Sequence, residues 1–297
     1  MSMNTGNFGE LLDPGMRAHY GLSYKQREEQ YSKVFDIKDS TKNFEETLSL
    51  AGLGLVPEKT QGGSVSYDDM IQGYKHRLTH VTYGLGFIVT REMYEDDLYK
   101  QINAFPEALA RSVRHTIETI AANILNRAFN SSYTGADGKE LCATDHPLVA
   151  GGTFANEPST PADLSITSFE QALIDIGDFV DDRGLDVAAQ PKKLIVTPSF
   201  DFTAQKILGS EKDPASNYNA VNPARGVMPY TVMNFLTDPD AWFITTDMPN
   251  SIVFYWRRRP DFTKDNDFDS ENAKWKTVFR CIAGWDDPRG IYGSPGV

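Results

Sequence analysis

The sequence predicts an α+β fold: one long amphipathic helix, shorter helices, and strands in mixed order. Three observations lead there. Apolar residues at Tyr94, Leu98, Ile102, Phe105, Leu109, Val113, Ile117, Ile120, Ile124 and Ala128 recur in steps of three or four, the period of one helix face. Runs rich in β-branched and aromatic residues at 74–90, 194–196, 230–236, 241–245, 252–257 and 274–283 read as strands. Helices and strands do not alternate strictly, which excludes a doubly wound βαβ sheet.

The elements follow in order. Residues 1–57 mix charges of both signs with scattered aromatics (Phe8, Tyr20, Tyr24, Tyr31, Phe35, Phe44). Short helical pieces fit there, but no continuous apolar stripe emerges. Such a segment does not offset its own ordering entropy and needs a partner surface. Residues 58–90 form a glycine-bounded, hairpin-like stretch, with Gly62, Gly63, Gly73, Gly84 and Gly86. Ser64–Tyr67 is the candidate partner strand for 74–90.

Thr90 is an N-cap, and Glu92, Glu95, Asp96 and Asp97 suit the positive end of a helix. Pro106 divides the pattern into a short helix to about Ala104 and a main helix to about Phe129. The main helix has about 24 residues and is roughly 36 Å long. Its polar face carries Glu107, Arg111, Arg114 and Glu118. The Glu107–Arg111 pair is worth about 0.2–0.5 kcal/mol. The large apolar side chains from Leu109 to Leu125 contribute roughly 10–15 kcal/mol gross, so packing dominates. After a turn at 130–138 and a loop at 145–167, Phe169, Leu173, Ile176 and Val180 mark a helix that stops at Arg183-Gly184. Residues 200–208 read as a further short helix, and 209–230 as a polar loop.

Composition narrows the function. The 297 residues are 40% hydrophobic and 11% aromatic, enough for a real core. A net charge of −12 argues against tight nucleic-acid binding, which needs Lys and Arg on the phosphates. Cys142 and Cys281 have no metal-ligand spacing and fit a reducing folding environment. No secretory signal is expected from the first residues, and no run is apolar enough for a membrane span.

No catalytic constellation emerges, and neither a cofactor nor a metal is expected. The chain has no nucleophile elbow, phosphate-binding loop or zinc-protease motif. His76 and His80 lie in strand-like sequence about 13 Å apart, with no third ligand implied. Asp145-His146 reads as a turn before Pro147, and His115 as a structural residue beside the helix stripe. Asp265, Asp267, Asp269 and Glu271 lack the glycine and terminal Glu of a calcium loop, and read as a solvated run.

Arg257, Arg258 and Arg259 end a strand whose preceding residues, 252–256, are apolar on both faces. Strict alternation puts Arg257 and Arg259 on one face and Arg258 on the other. Three guanidiniums this close need carboxylates, and the run from Asp265 to Glu271 can supply them, within one chain or from a neighbouring copy. Two readings stand here: a solvated rim worth about 0–1 kcal/mol per pair, and an intersubunit ion network.

Nearly the whole chain resembles a tailed-phage major capsid protein of the Hong Kong 97 fold, closest to the Mu-type major head subunits. The arm, the hairpin stretch, "TREMYEDDLYKQINAFPEALARSVRHTIETIAANILNRAFN" with its "GADG" turn, and "SIVFYWRRRPDFTKDNDFDSENAKWKTVFRCIAGWDDPRG" carry the resemblance. It implies an N-arm at 1–57, an E-loop at 58–90 and a P-domain with its spine helix at 91–161. An A-domain at 162–240 and a return to the P-domain at 241–297 complete it. The expected function is structural: pentamers and hexamers closing an icosahedral shell around double-stranded DNA, without sequence-specific binding.

Scaffolding, portal and decoration proteins are the expected partners, with no membrane, and the location is the virion after assembly in host cytoplasm. No long scaffolding segment precedes the arm, so such a segment is cleaved or separate. The isopeptide crosslink of the founding phage does not carry over, because Lys59 and Lys75 alone do not define it. An encapsulin-like compartment is the alternative within the fold. A soluble enzyme of small oligomeric size is the alternative outside it.

Overall fold

The computed structural model describes residues 9–26, 28–90, 92–93, 96, 102, 104–212, 220–249, 251–266 and 272–297. Among the described residues, the helices of nine residues or more are, in chain order, α1 (Gly9–Lys25), α2 (Ala104–Asn126), α3 (Ile166–Gly177) and α4 (Asp201–Gly209). The first strands are β1 (Asp36–Asp39), β2 (Phe44–Ala51), β3 (Ile71–Thr79) and β4 (Val81–Val89). Then come the short β5 (His146–Pro147) and β6 (Thr153–Phe154), followed by β7 (Pro191–Val196), β8 (Tyr230–Val232) and β9 (Trp242–Thr246). The chain ends with β10 (Ile252–Asn266), β11 (Ala273–Trp285) and β12 (Ile291–Ser294).

The first core forms between α2 and a sheet of order β1-β10-β11-β4. Pro106 sits in the first turn of α2, where its missing N–H costs nothing. The expected short helix before it lies largely outside the described residues. Leu109, Val113, Ile117, Ala121 and Leu125 repeat every four residues and are buried. On β11, Trp275, Thr277, Phe279, Cys281 and Ala283 are buried while Lys274 and Lys276 are exposed, the alternation of a sheet with one wet face. Phe87 stacks on Trp275 and Tyr83 on Phe279, each with centroids 5.3 Å apart. Gly86 is required by this pairing, because a Cβ there would sit 2.5 Å from the Trp275 carbonyl oxygen.

A second core lies between α3, α4 and a sheet of order β12-β9-β7-β8. A reciprocal Ser165–Ser168 capping box starts α3. The helix stops at Gly177, short of the expected stop at Arg183-Gly184. Val180 instead bridges Asp186 across a tight return that contains Gly184 at a φ of 80°.

Two sequence expectations need correction. The arm does bury surface within its own chain. Met16 and Tyr20 on α1, with Tyr31 and Phe35 beyond it, join the first core. Tyr20 stacks on Phe262 at 4.7 Å, and Tyr31 lies against Phe254 at 4.9 Å. The stripe escapes periodicity analysis because it is short, tyrosine-rich, and covered by β10 from the far end of the chain. The second correction concerns the hairpin. The partner of β3 is β2, in register from Phe44–Thr79 to Ala51–Ile71, and not Ser64–Tyr67. Residues 64–67 lie in the irregular loop between those strands, beyond a turn in which Gly63 N donates to Thr60 O at 3.0 Å. At His80 the chain changes sheets, since β3 pairs with β2 and β4 pairs with β11.

Hydrogen exchange on the free subunit checks this division. Amides of 31–37 should be protected to a degree comparable with α2, while those of 52–67 exchange fast. Equal, fast exchange in both segments would contradict the burial of Tyr31 and Phe35.

Candidate assembly surfaces

Helix α2 holds the arm through two charged residues that the sequence assigns to its solvated face. Arg114 and Glu118, one turn apart, are both buried. Arg114 Nη1 donates to Glu29 Oε1 at 2.7 Å and Nη2 to the Tyr24 carbonyl at 3.1 Å, with the guanidinium 4.2 Å from the centroid of the Tyr24 ring. Glu118 accepts Gln30 N–H at Oε1 and Tyr31 N–H at Oε2, both at 2.9 Å. Burial pushes the Glu118 carboxyl up and the Tyr24 phenol up to about 12. The Gln30 side chain accepts Asn234 N–H at 3.0 Å, and the Lys193 ammonium donates to Lys33 O, so the arm also touches the chain of the second core.

A second buried brace centres on Asn156. Asn156 is fully buried; its Nδ2 donates to the carbonyls of Leu141, Pro288 and Ile291, and its Oδ1 accepts Ala143 N–H. His146 lies 3.1 Å from Asn156 Oδ1 through Nε2 and 2.6 Å from Asp137 Oδ2 through Nδ1. Asp145, the sequence neighbour, pairs instead with Lys139 at 2.5 Å. This is an Asp–His couple by distance, in which His146 is fully buried against the Asn156 amide and a stacked Phe154 ring. His76 faces Asp286 and His80 faces Ser40, and the two histidines share no partner. His115 lies against Phe235. Among the described residues, no group of His, Cys, Asp or Glu is arranged to hold a metal.

The loop of the β2–β3 hairpin holds a run of exposed apolar side chains. Leu55, Val56 and Tyr67 are 81, 94 and 95% exposed, and Leu50, Leu53, Val65 and Met70 are exposed beside them. Apolar exposure on this scale within one segment marks an interaction surface.

The arginine cluster is exposed, as the sequence suggests, but its partners differ. Arg258 pairs with Asp261 at 2.8 Å and Arg259 with Asp39 at 3.0 Å, all four side chains being half exposed or more. Arg257 Nη1 reaches the Ser40 carbonyl at 3.5 Å. Register shifts between Trp256 and Arg258, and between Arg258 and Asp261, break the simple alternation of faces. Asp265 lies in register with Lys274 across the β10–β11 hairpin. Asp267, Asp269 and Glu271 fall outside the described residues.

Two cores and an exposed apolar hairpin loop fit a subunit packed against others. The profile of the phage capsid protein family matches residues 74–294, and the chain belongs to that family. Comparison with the curated proteins finds no match. Among solved structures, the fold is similar to the capsid of bacteriophage JBD30 decorated with minor capsid protein trimers. That match has a TM-score of 0.57 and 14% identity over 71% of this chain and 92% of that one. Mycobacterium phage Patience gives 0.53 and 9% over 98% and 88%. The holo-SrpI encapsulin complex of Synechococcus elongatus gives 0.51 and 10% over 89% and 86%. The protein is a structural major capsid protein with the Hong Kong 97 fold, self-associating and located in the virion capsid.

A cleft of about 560 Å³ beside α3 is lined by Glu157, Asp175, Trp242 and Tyr292 among others. Burial, then the neighbouring Glu140 charge, pushes the Glu157 carboxyl from 4.5 up to about 7, against a smaller opposing effect of His146. Between those two values the folded state binds more protons than the unfolded chain, so stability falls as pH rises through this window. Glu157→Gln lacks that slope. Its melting temperature should exceed that of the parent at about pH 8 and match it at about pH 4.5. A gain of equal size at both values would contradict the assignment.

Proposed function

We propose that this chain is the major head subunit of a tailed phage, of the Mu-type group, closing as pentamers and hexamers into an icosahedral shell around double-stranded DNA. The observation that carries the reading is the contrast between two well-filled cores and a hairpin whose apolar side chains stand in water. A lone soluble protein gains nothing from that exposure. A subunit that laps its neighbours gains a contact repeated around every ring.

In this reading residues 1–57 are the N-arm, 58–90 the E-loop, 91–161 the P-domain with α2 as its spine, 162–240 the A-domain, and 241–297 the return to the P-domain. Since β2 supplies one strand of the hairpin, the lapping element includes the end of the N-arm. A net charge of −12 suits a container whose wall does not grip its genome. Portal and scaffolding proteins are the proposed partners in host cytoplasm. A decoration protein is a further proposed partner, as on the JBD30 capsid. The similarity to the SrpI encapsulin supports one second reading, a cellular compartment. Particles filled with DNA favour the phage head; particles filled with an enzyme favour the compartment.

Arg257, Arg258 and Arg259, with Asp265, Asp267, Asp269 and Glu271, are the proposed intersubunit ionic contacts. The exposure of Arg258 and Arg259 leaves their in-chain pairs with Asp261 and Asp39 open to exchange for carboxylates of a neighbour. Purified Arg258→Glu/Arg259→Glu protein should be folded and soluble, yet give no closed shells by negative-stain imaging. Adding Asp267→Lys and Asp269→Lys should partly restore them. Normal shells from the arginine double variant would leave these residues as a solvated rim.

A further inference from the structure

The hairpin that offers its apolar face outward is tied down by a polar clasp on its inner side. Arg183 stands in the tight return after α3. Its Nη1 donates to Asp68 Oδ2 at 2.7 Å, and its Nη2 donates to the Asp69 carbonyl. The same Asp68 oxygen accepts Gly54 N–H at 2.8 Å, so both limbs of the loop between β2 and β3 meet at one guanidinium. At its base the hairpin also touches the body, where the Leu78 side chain lies against Gly284. Between base and clasp runs an open groove of about 510 Å³, lined by Thr47, Ser49 and Tyr74 on the hairpin side and by Asp182 and Pro288 on the body side. The hairpin therefore arches over its own subunit. The exposed side chains of Leu55, Val56, Val65 and Tyr67 take no part in the hydrogen bonds of the clasp.

We propose that the Arg183–Asp68 clasp is a latch that parks the hairpin on its own subunit before assembly, and that it opens when the hairpin's apolar face meets a second copy of this chain. The proposal rests on the shell reading above and adds its regulation. A single, partly exposed ion pair suits the task, because it is reversible and independent of the apolar face that must be spent elsewhere. Asp68 is half exposed and its carboxyl is held below the usual range, first by Gly54 N–H and then by Asp69 N–H and Arg183. The clasp is thus charged at neutral pH and yields to competition from another surface.

The test compares the full-length parent with Arg183→Ala and with the exchanged pair Arg183→Asp/Asp68→Arg. Hydrogen exchange at Gly54 in free subunits reads the latch; light scattering and negative-stain imaging read assembly. Arg183→Ala should speed Gly54 exchange roughly two- to fivefold, the ratio a weak charge pair carries, and should shorten the assembly lag. The exchanged pair should move the assembly lag back toward the parent, while its Gly54 exchange stays fast, because a guanidinium at position 68 offers Gly54 N–H no acceptor. Unchanged Gly54 exchange in Arg183→Ala would overturn the clasp. Faster exchange in that variant with an unchanged or longer lag would overturn its role as a latch. Parent protein that never assembles would overturn the shell reading and the latch's role together, while the exchange data still report whether the clasp exists.

Discussion

The subunit depends on α2 being covered on more than one side. The sheet covers its apolar stripe, and the arm covers the flank that carries Arg114 and Glu118. Two charges buried side by side are costly unless every polar atom finds a partner. Here the arm supplies nearly all of them: the Glu29 carboxylate, the Tyr24 carbonyl, and the N–H groups of Gln30 and Tyr31. Removing the arm would strand both charges, and removing the charges would leave the backbone at 30–31 without acceptors. The pair therefore fixes register as well as contact. From that fixed point β1 enters the sheet beside β10, and β2 leaves to build the hairpin.

The same constraint explains how two opposed needs coexist in one chain. A shell protein must be stable as a free subunit and still hold surface in reserve for its neighbours. The cores, the arm clamp and the Asn156 brace, bonded to Leu141, Pro288 and Ile291, meet the first need. The hairpin meets the second. It leaves the body at His80, where one continuous extended segment passes from pairing with β11 to pairing with β2. The reserve surface is thus strand-bonded to the rigid body, and a load on one is felt by the other.

Much of the fold is legible in the sequence because the decisive signals are local. The four-residue repeat from Leu109 to Leu125 gives α2, and the apolar run 252–256 followed by three arginines gives a buried strand leading to an exposed end. What escapes is non-local. The arm's stripe of Met16, Tyr20 and Tyr24 is three residues long, and its cover comes from β10. Arg114 and Glu118 look like a solvated helix face until residues 24–31 are laid on them. The partner of Arg259 is Asp39, 220 positions away, rather than the acidic run in the next loop. The β2–β3 pairing is hidden for the same reason: Phe44–Ala51 carries two glutamates and reads as arm. The apolar residues of the hairpin loop are plain in the sequence, but their exposure is a property of the fold alone.

The central claim is a division of labour: the cores fold the subunit and the hairpin's outer face assembles it. Sedimentation velocity and urea unfolding of the Leu55→Ser/Val56→Ser/Tyr67→Ser variant, against the parent over a concentration series, test it most directly. The account predicts an unfolding midpoint equal to that of the parent, and a protein that stays a free subunit at concentrations where the parent forms particles. A lowered midpoint would show that this face belongs to the subunit's own core. Particles at the parent's threshold would show that assembly does not use it.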